Sequence, residues 1–411
     1  MSGSGKKDSL KSKKESCMKT VCSLNMCTAC MACVSICPRK AITVRDDLKY
    51  QNAVIEEQKC IDCGLCEKVC QVVHPLPLRK PLQWYQGWCN DLDDRKKSAS
   101  GAFAYSMAKQ IISEGGFVAA CRFEKGRFLY SLAGTESELD RYRGSNYVKS
   151  DPTGIYPSVK DYLVGGNQVL FIGLPCHVAA LKRYLGKEYD NLITVDLICH
   201  GSPSPMLLEM FLNQYHLSLS SISSIHFRKK GFTKQNGSPD NFDHTNESEI
   251  SFTEPGIRDR YTIAFLYGLN YTENCYHCAY AGTVRGSDIT IGDSWGNEFN
   301  IQEKQNGVSL ALCQTEKGVS FLKRCQLDLQ TVNIQRAVES NHQLREPFPM
   351  PAARNTFFDA ISKGTSFNNA VKKSIPKACF RLDMKDKLLK IGICKDTKER
   401  AIDYKIFVGH N

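Results

Sequence analysis

The chain has 411 residues, enough for two or three domains, with a net charge of +11 and twenty cysteines. It opens on the polar stretch SGSGKKDSLKSKKES, not an apolar signal segment, and no apolar run approaches the ~20 residues a bilayer requires. Composition therefore argues against a secreted disulfide framework and a membrane span, and predicts a cytoplasmic protein in a reducing setting.

In chain order, residues 1–16 are expected to be a disordered basic tail. Residues 1–20 hold six lysines against Asp8 and Glu15, and residues 377–405 hold nine basic against five acidic residues. Most of the charge excess thus lies at the two ends. It reads as solvated tail, or as a steering surface for an acidic redox partner such as ferredoxin. No basic stripe with interleaved aromatics lies elsewhere, so nucleic acid is not an expected partner.

Residues 17–74 contain two cysteine runs of one spacing. Cys27, Cys30, Cys33 and Cys37 are followed by Pro38; Cys60, Cys63, Cys66 and Cys70 are followed by Gln71. Each reads C-x2-C-x2-C-x3-C, the bacterial ferredoxin pattern for a pair of [4Fe–4S] clusters. In that pattern the fourth cysteine of each run serves the other cluster. This pairs Cys70 with Cys27, Cys30 and Cys33, and Cys37 with Cys60, Cys63 and Cys66. Structural zinc also uses C-x2-C pairs, but as two widely spaced pairs per ion. Short extended segments at 41–44 and 53–55 suit a hairpin joining the two loops. Two such clusters pass single electrons.

Three prolines between Pro75 and Pro81 break all periodicity and mark a linker over 75–82, with the main domain over 83–411. There strand and helix signals alternate. WYQGW (84–88) reads as a strand, then a helix follows SASG (98–101) and ends at Gly115-Gly116. FVAACRF (117–123) and QVLFIG (168–173) are strands, the second leading into the helix PCHVAALKRYLG. LITVDLIC (192–199) precedes a helix over 206–215. SISSIHFRK (221–229) alternates like a strand, 233–247 is a polar insertion, and GVSLALCQT (307–315) precedes a last helix. The expected class is α/β, a mixed sheet with flanking helices, behind a small α+β dicluster module. No G-x-G-x-x-G follows a strand and no Walker loop occurs, so any flavin must be held by another scheme.

Four further cysteines stand out. Cys176 sits at a strand-to-helix turn, Cys199 ends the next apolar strand, and Cys275 and Cys278 form a C-x2-C. Strand ends in α/β folds face ligand crevices, and four thiolates suffice for a third [4Fe–4S] cluster. Alternatively Cys176 and Cys199 are small core residues. A catalytic pairing with His177 or His200 has only sequence adjacency behind it.

The segments LFIGLPCHVAALKRYL, DLICHGSPSP, NCYHCAYAGTVRGSDITIGDSWG and YRGSNYVKSD resemble the family of coenzyme F420 hydrogenase/dehydrogenase beta subunits. The resemblance runs from about Ser98 to Thr315. It implies an FAD-containing iron–sulfur reductase, with F420 or another small molecule as substrate. Many bacterial members of this composition are found with glycan or capsule biosynthesis enzymes. The resemblance places Ser98, Ser100 and Gly101 at a helix start suited to FAD phosphates, with Ala102 where many members have a second glycine. It also places Arg143, Gly144, Ser145 and Lys149 in a flavin-side loop, with Asn146 where lysine is common. Arg285, Asp288, Asp293 and Trp295 become candidate pocket residues. The implied carrier order is an external donor, the two N-terminal clusters, a core cluster, FAD, then substrate, in either direction. The competing expectation is an iron–sulfur electron-transfer subunit that binds no substrate. No catalytic residue is identified, and Cys17, Cys22, Cys89, Cys121, Cys313, Cys325, Cys379 and Cys394 have no assigned role.

Overall fold

The computed structural model of the chain describes residues 19–228, 230, 242–246, 248–252 and 259–390. The expected tail over 1–16, Cys17, Cys394 and most of the polar insertion lie outside the described residues. In chain order the strands are β1 (Ile42–Asp46), β2 (Gln51–Ile55), β3 (Gln83–Cys89), β4 (Phe117–Glu124), β5 (Arg127–Ala133), β6 (Val169–Gly173) and β7 (Leu192–Leu197). They continue with β8 (Ser224–His226), β9 (Phe242–Asn246), β10 (Glu249–Phe252), β11 (Ile289–Asp293), β12 (Ser309–Cys313) and β13 (Leu327–Gln330).

Eight strands build one mixed sheet in the order β13-β3-β12-β11-β7-β6-β4-β5. β4, β6, β7 and β11 run parallel; the pairs toward both edges are antiparallel. The central strands β6, β7 and β12 are near-continuous apolar runs because helices cover both faces. On one face lie helix Phe103–Ser113 and helix Glu316–Arg324, which pack Phe103, Met107, Ile111, Phe321 and Leu322 on Leu170, Val195 and Ala311. The buried positions of the first recur at helical spacing, as its sequence predicts. On the other face helices Ile155–Val164 and Pro175–Leu185 cover Phe171. A third core joins helices Pro205–Asn213, Arg260–Leu266, Ala353–Ser362 and Phe367–Ser374 around Phe211, Tyr261 and Phe357.

The α/β plan with a mixed sheet is as predicted. Two expectations change. The strand read over 221–229 shrinks to Ser224–His226 behind a 3₁₀ turn at Leu219–Ser221. LITVDLIC stops being strand at Leu197, which leaves Cys199 in irregular backbone past the strand end.

The dicluster module, built on the β1–β2 hairpin, does not hang on a free tether. Ala32 is fully buried, Cys30 and Val69 join the core with Tyr156 and Phe171, and the Tyr156 hydroxyl donates to the Cys30 carbonyl at 2.6 Å. The proline-rich stretch lies extended along the main domain, where Arg79 and Arg285 exchange backbone hydrogen bonds of 2.8 and 3.0 Å. Prolines remove donors without preventing an extended strip from pairing at its other residues.

At Gly87 (φ +150°) the β3 backbone passes so close to β13 that an added Cβ would sit 1.8 Å from the Asp328 carbonyl oxygen. Gly87→Ala is expected to destabilise by about 2–5 kcal/mol through overpacking and backbone strain. Gly115→Ala, with φ +79° but nothing within 4 Å, should cost only about 1–2 kcal/mol. Anaerobic thermal unfolding of the two variants checks the ranking.

Candidate functional site: two cavities at the strand ends

The carboxyl ends of β6, β7 and β11 open on one side of the sheet, where two cavities share a wall. The larger, ≈ 310 Å³, is lined by strand-end residues Gly173, Leu197 and Asp293, by the start of helix Phe103–Ser113, and by loop 143–150. The smaller, ≈ 190 Å³, is lined by Cys176, Cys199, Cys275 and Cys278. Leu174, Cys199, His200, Gly201 and Ser202 border both.

In the larger cavity the predicted helix start is present. Ala102 takes the left-handed conformation (φ +66°) and no side chain caps the first helical N–H groups. These groups and the positive end of the helix dipole suit a phosphate. Ser98, Ser100 and Ala102 line the cavity; Gly101 does not. A Cβ at Gly101 would meet the Gly87 carbonyl at 2.3 Å and the Ser309 amide at 2.7 Å, so this glycine permits close backbone packing. The serine hydroxyls are committed. Ser100 donates to the Val308 carbonyl at 2.7 Å, and Ser98 Oγ accepts from Arg143 Nη1 at 2.7 Å.

Arg143, Gly144 and Ser145 line the same cavity, as does Asn146. Arg143 is not a bare cation. Its guanidinium bridges Asp94 and Asp140, each at 2.6 Å, and lies 3.4 Å from the Tyr105 ring centroid. It clamps loop 143–150 to the Ser98 turn. Asp293 and Trp295 also line this cavity, Asp293 paired with Arg228. Asp288 does not. Its carboxylate accepts from the Thr194 amide and hydroxyl and from Thr315, stapling the opposite end of the sheet.

Lys149 and Arg285 lie in the cysteine cavity, not with the flavin-side residues. Both are buried, at 5 % and 1 % exposure. Lys149 Nζ reaches only neutral oxygens, the Thr28 carbonyl at 3.4 Å and Asn274 Oδ1 at 3.5 Å. Arg285 donates from Nε to Gly282, while its Nη2 has no hydrogen-bond partner. Among the described residues neither cation makes an ion pair with a carboxylate, although Arg285 acts on buried Asp196 from a distance, and buried cations are costly unless an anion lies beside them. A cluster held by four thiolates is such an anion, so the donor set fits the group. Burial pushes the Cys199 thiol up to about 12 and that of Cys176 well up, with Lys149 acting the other way on Cys176.

His177 turns away from the cavities. Its Nδ1 lies 3.0 Å from the Tyr130 hydroxyl, and burial pushes its pKa down to about 3. His200 sits in the shared wall with Nδ1 2.8 Å from Gln343 Nε2, and burial holds it down at about 4. Burial thus favours the neutral form of both imidazoles. Cys121 lines the larger cavity beside Asn146, while Cys89, Cys313, Cys325 and Cys379 are buried.

The two N-terminal loops are backbone copies of each other. Ala29 and Met31 (φ +53° and +58°) match Asp62 and Gly64 (φ +49° and +70°), two and four residues past Cys27 and Cys60. Both loops aim an amide at the leading sulfur, Ala29 N at Cys27 Sγ and Asp62 N at Cys60 Sγ, each 3.4 Å. Left-handed residues curl the chain so that successive N–H groups face inward, an anion-receptive arrangement. Among the described residues no three His, Cys, Asp or Glu side chains stand close enough to hold a single metal ion. Cys27, Cys30, Cys33 and Cys70 are buried, Cys63 is exposed, and Cys37, Cys60 and Cys66 are half-buried. The inner loop abuts the cysteine cavity, with Thr28 and Gln71 in its wall. Gln71, where the first run has proline, donates to Thr28 Oγ1 at 2.9 Å and accepts from Tyr280. It fastens module to main domain. Nothing in the cysteine spacing signals His200 or Gln71; both gain their places only through tertiary packing.

Residues 26–73 match the 4Fe–4S dicluster domain. Residues 166–336 match the family described as the C terminus of the coenzyme F420 hydrogenase/dehydrogenase beta subunit. The chain is 25 % identical over 296 residues to the F subunit of the F(420)H(2) dehydrogenase of Methanosarcina mazei, covering 67 % of this chain and 79 % of that protein. A chain of the F420-reducing [NiFe] hydrogenase complex from Methanosarcina barkeri, in a xenon-derivatised structure, matches at 16 % identity and a TM-score of 0.44, over 69 % of this chain and 95 % of that one. Among the described residues no helix is long and apolar enough to cross a membrane. The chain is thus related to redox-complex subunits: a segment that matches 4Fe–4S dicluster domains precedes one that matches the C terminus of coenzyme F420 hydrogenase/dehydrogenase beta subunits.

Proposed function

We propose that the chain is a cytoplasmic iron–sulfur flavoprotein oxidoreductase, with FAD in the larger cavity and a third [4Fe–4S] cluster on Cys176, Cys199, Cys275 and Cys278. The observation that carries this reading is the shared wall: a four-cysteine cavity touches the dicluster module on one side and a cavity with an uncapped helix start on the other. When bound, the clusters supply single-electron transfer, and FAD supplies conversion between single electrons and a hydride.

The chain's own residues provide the setting. Lys149 and Arg285 offset negative charge on the four thiolates. The Ser98–Ala102 turn presents amides to a phosphate, held in place by Arg143. Leu174, Cys199 and His200 separate the two cavities, and apolar walls such as Phe103, Val118 and Phe265 exclude water from the larger one. The substrate is a small molecule or a deazaflavin, and the redox partner is ferredoxin or a similar carrier meeting the module at its exposed Cys63 loop. The domain limits that follow are 17–74 for the module, 75–82 for the docked connector and 83–411 for the main domain.

Iron, acid-labile sulfide and flavin per chain, measured on anaerobically prepared protein, test the reading. About twelve iron atoms, four per cluster, and one FAD are expected. The relative's designation as a subunit favours one other reading, an electron-transfer subunit without substrate. About eight to twelve iron atoms with no flavin, even after reconstitution, would establish that alternative.

A further inference from the structure

Lys149 stands where the dicluster module meets the four-cysteine cavity, on backbone that is pinned around it. The Tyr261 hydroxyl donates to the Tyr147 carbonyl at 2.9 Å, the Lys149 amide to the Pro203 carbonyl at 2.9 Å, and the Asp151 amide to the Phe128 carbonyl at 2.7 Å. Its buried ammonium lies between two cysteine-bearing loops. On one side Nζ is 3.4 Å from the carbonyl of Thr28, which stands between Cys27 and Cys30 in the inner loop. On the other it is 3.5 Å from Oδ1 of Asn274, whose Nδ2 is 3.7 Å from Cys275 Sγ. The two loops are also joined directly, because Gln71 donates to Thr28 Oγ1 at 2.9 Å and accepts from the Tyr280 hydroxyl. The ammonium accordingly acts on Cys27 of the inner loop as well as on Cys176 of the cavity. Arg285, the other buried cation of the cavity, bonds instead to Gly282 and, through its backbone, to Arg79 of the connector.

We propose that Lys149 is a positioning residue for electrons, one counter-charge shared by two clusters, which raises the reduction potentials of the inner N-terminal cluster and of the third cluster together. This rests on the third-cluster reading above. A reduced cluster carries one more negative charge than an oxidised one, so a nearby cation stabilises it more, and net charge is among the determinants of cluster potential. When the inner cluster passes one electron inward, it is oxidised by one, the third cluster is reduced by one, and no bond or proton changes. A cation beside one cluster alone would hold the electron there. A cation between the two lifts both potentials and leaves the step between them nearly level. The outer cluster loop has no such cation: Lys19 and Lys59, beside it, are exposed and paired with Asp62 and Glu56.

The test is a potentiometric titration of the whole, anaerobically prepared chain, followed by electron paramagnetic resonance, for wild type, Lys149→Met, Lys149→Gln and Lys149→Arg. Each neutral variant is expected to lower the one-electron reduction equilibrium of two centres about tenfold, the order of effect of a unit charge roughly 10 Å away at an effective dielectric of about 20. That is ~59 mV for a one-electron couple. The third centre should stay in place, and iron should remain at about twelve atoms per chain. Lys149→Arg keeps the charge and should recover most of both shifts. Should Lys149→Met fail to fold, Lys149→Gln carries the test, since its amide keeps a donor for Thr28 and Asn274 without the charge. Unshifted potentials, or a shift confined to one centre, would overturn the proposal while about twelve iron atoms left the third-cluster reading standing. Equal shifts in the Arg, Met and Gln variants would reduce Lys149 to packing. About eight iron atoms in the wild type would instead remove the third cluster, and the shared counter-charge with it.

Discussion

Changing Cys176 and Cys275 together to serine in the full-length chain is expected to remove about four iron atoms and one cluster signal, leaving about eight atoms in the dicluster module. The four cysteines line one ≈ 190 Å³ cavity with two buried cations, Lys149 and Arg285, that make no ion pair with a carboxylate among the described residues. Removing two of four ligands leaves no stable cubane. Electron delivery from dithionite-reduced protein to an added acceptor should then fall at least about 100-fold if the cavity joins module to flavin. The experiment belongs in the whole chain. Truncation at Gln83 would strip Cys30, Ala32 and Val69 from the face they share with Tyr156 and Phe171, exposing a core. Unchanged iron in the double variant would sink the third-cluster reading while leaving the dicluster module intact.

Arg143→Ala is expected to weaken FAD affinity by roughly 10- to 150-fold, the equivalent of losing a hydrogen bond to a charged group at ~1.5–3 kcal/mol. The route is indirect. Arg143 ties Asp94, Asp140 and Ser98 together under the helix start, and its removal leaves buried Asp94 with only Lys109 at 3.1 Å as a cationic partner. Arg143→Lys keeps the charge but cannot make the same forked contacts, so it should recover little. Lys149→Met should leave FAD affinity near wild type, because Lys149 faces the cysteine cavity. Equilibrium flavin titration of the three reconstituted variants separates these outcomes. Wild-type affinity in Arg143→Ala would show that the clamp does not support the flavin site.

The sequence by itself determined the dicluster module. Its candidate ligands fall within eleven residues in each run, and the two loops repeat one backbone path through matching left-handed residues. It also determined the parallel-strand core, because largely apolar runs such as VLFIG and LITVDL, the latter broken by Thr194 and Asp196, suit strands covered by helices on both faces. The gathering of Cys176, Cys199, Cys275 and Cys278 into one cavity was decided by tertiary structure. Their approach depends on β6 and β7 being neighbours and on the return of loop 273–281 across the strand ends. Spacing encodes neither. The same holds for the cations. Arg143 and Lys149 are six residues apart in one loop, yet one enters the larger cavity and the other the smaller. The proline-rich stretch looked like a tether because its composition excludes helix and central strand. Composition says nothing about whether such a strip finds a surface to lie on, and here it pairs with Arg285. Cys22 marks the sharpest limit. It stands five residues before a motif it has no pattern to join, and only the pairing of residues 19–21 with β2 places it in the small core of Cys27, Cys33 and Cys70.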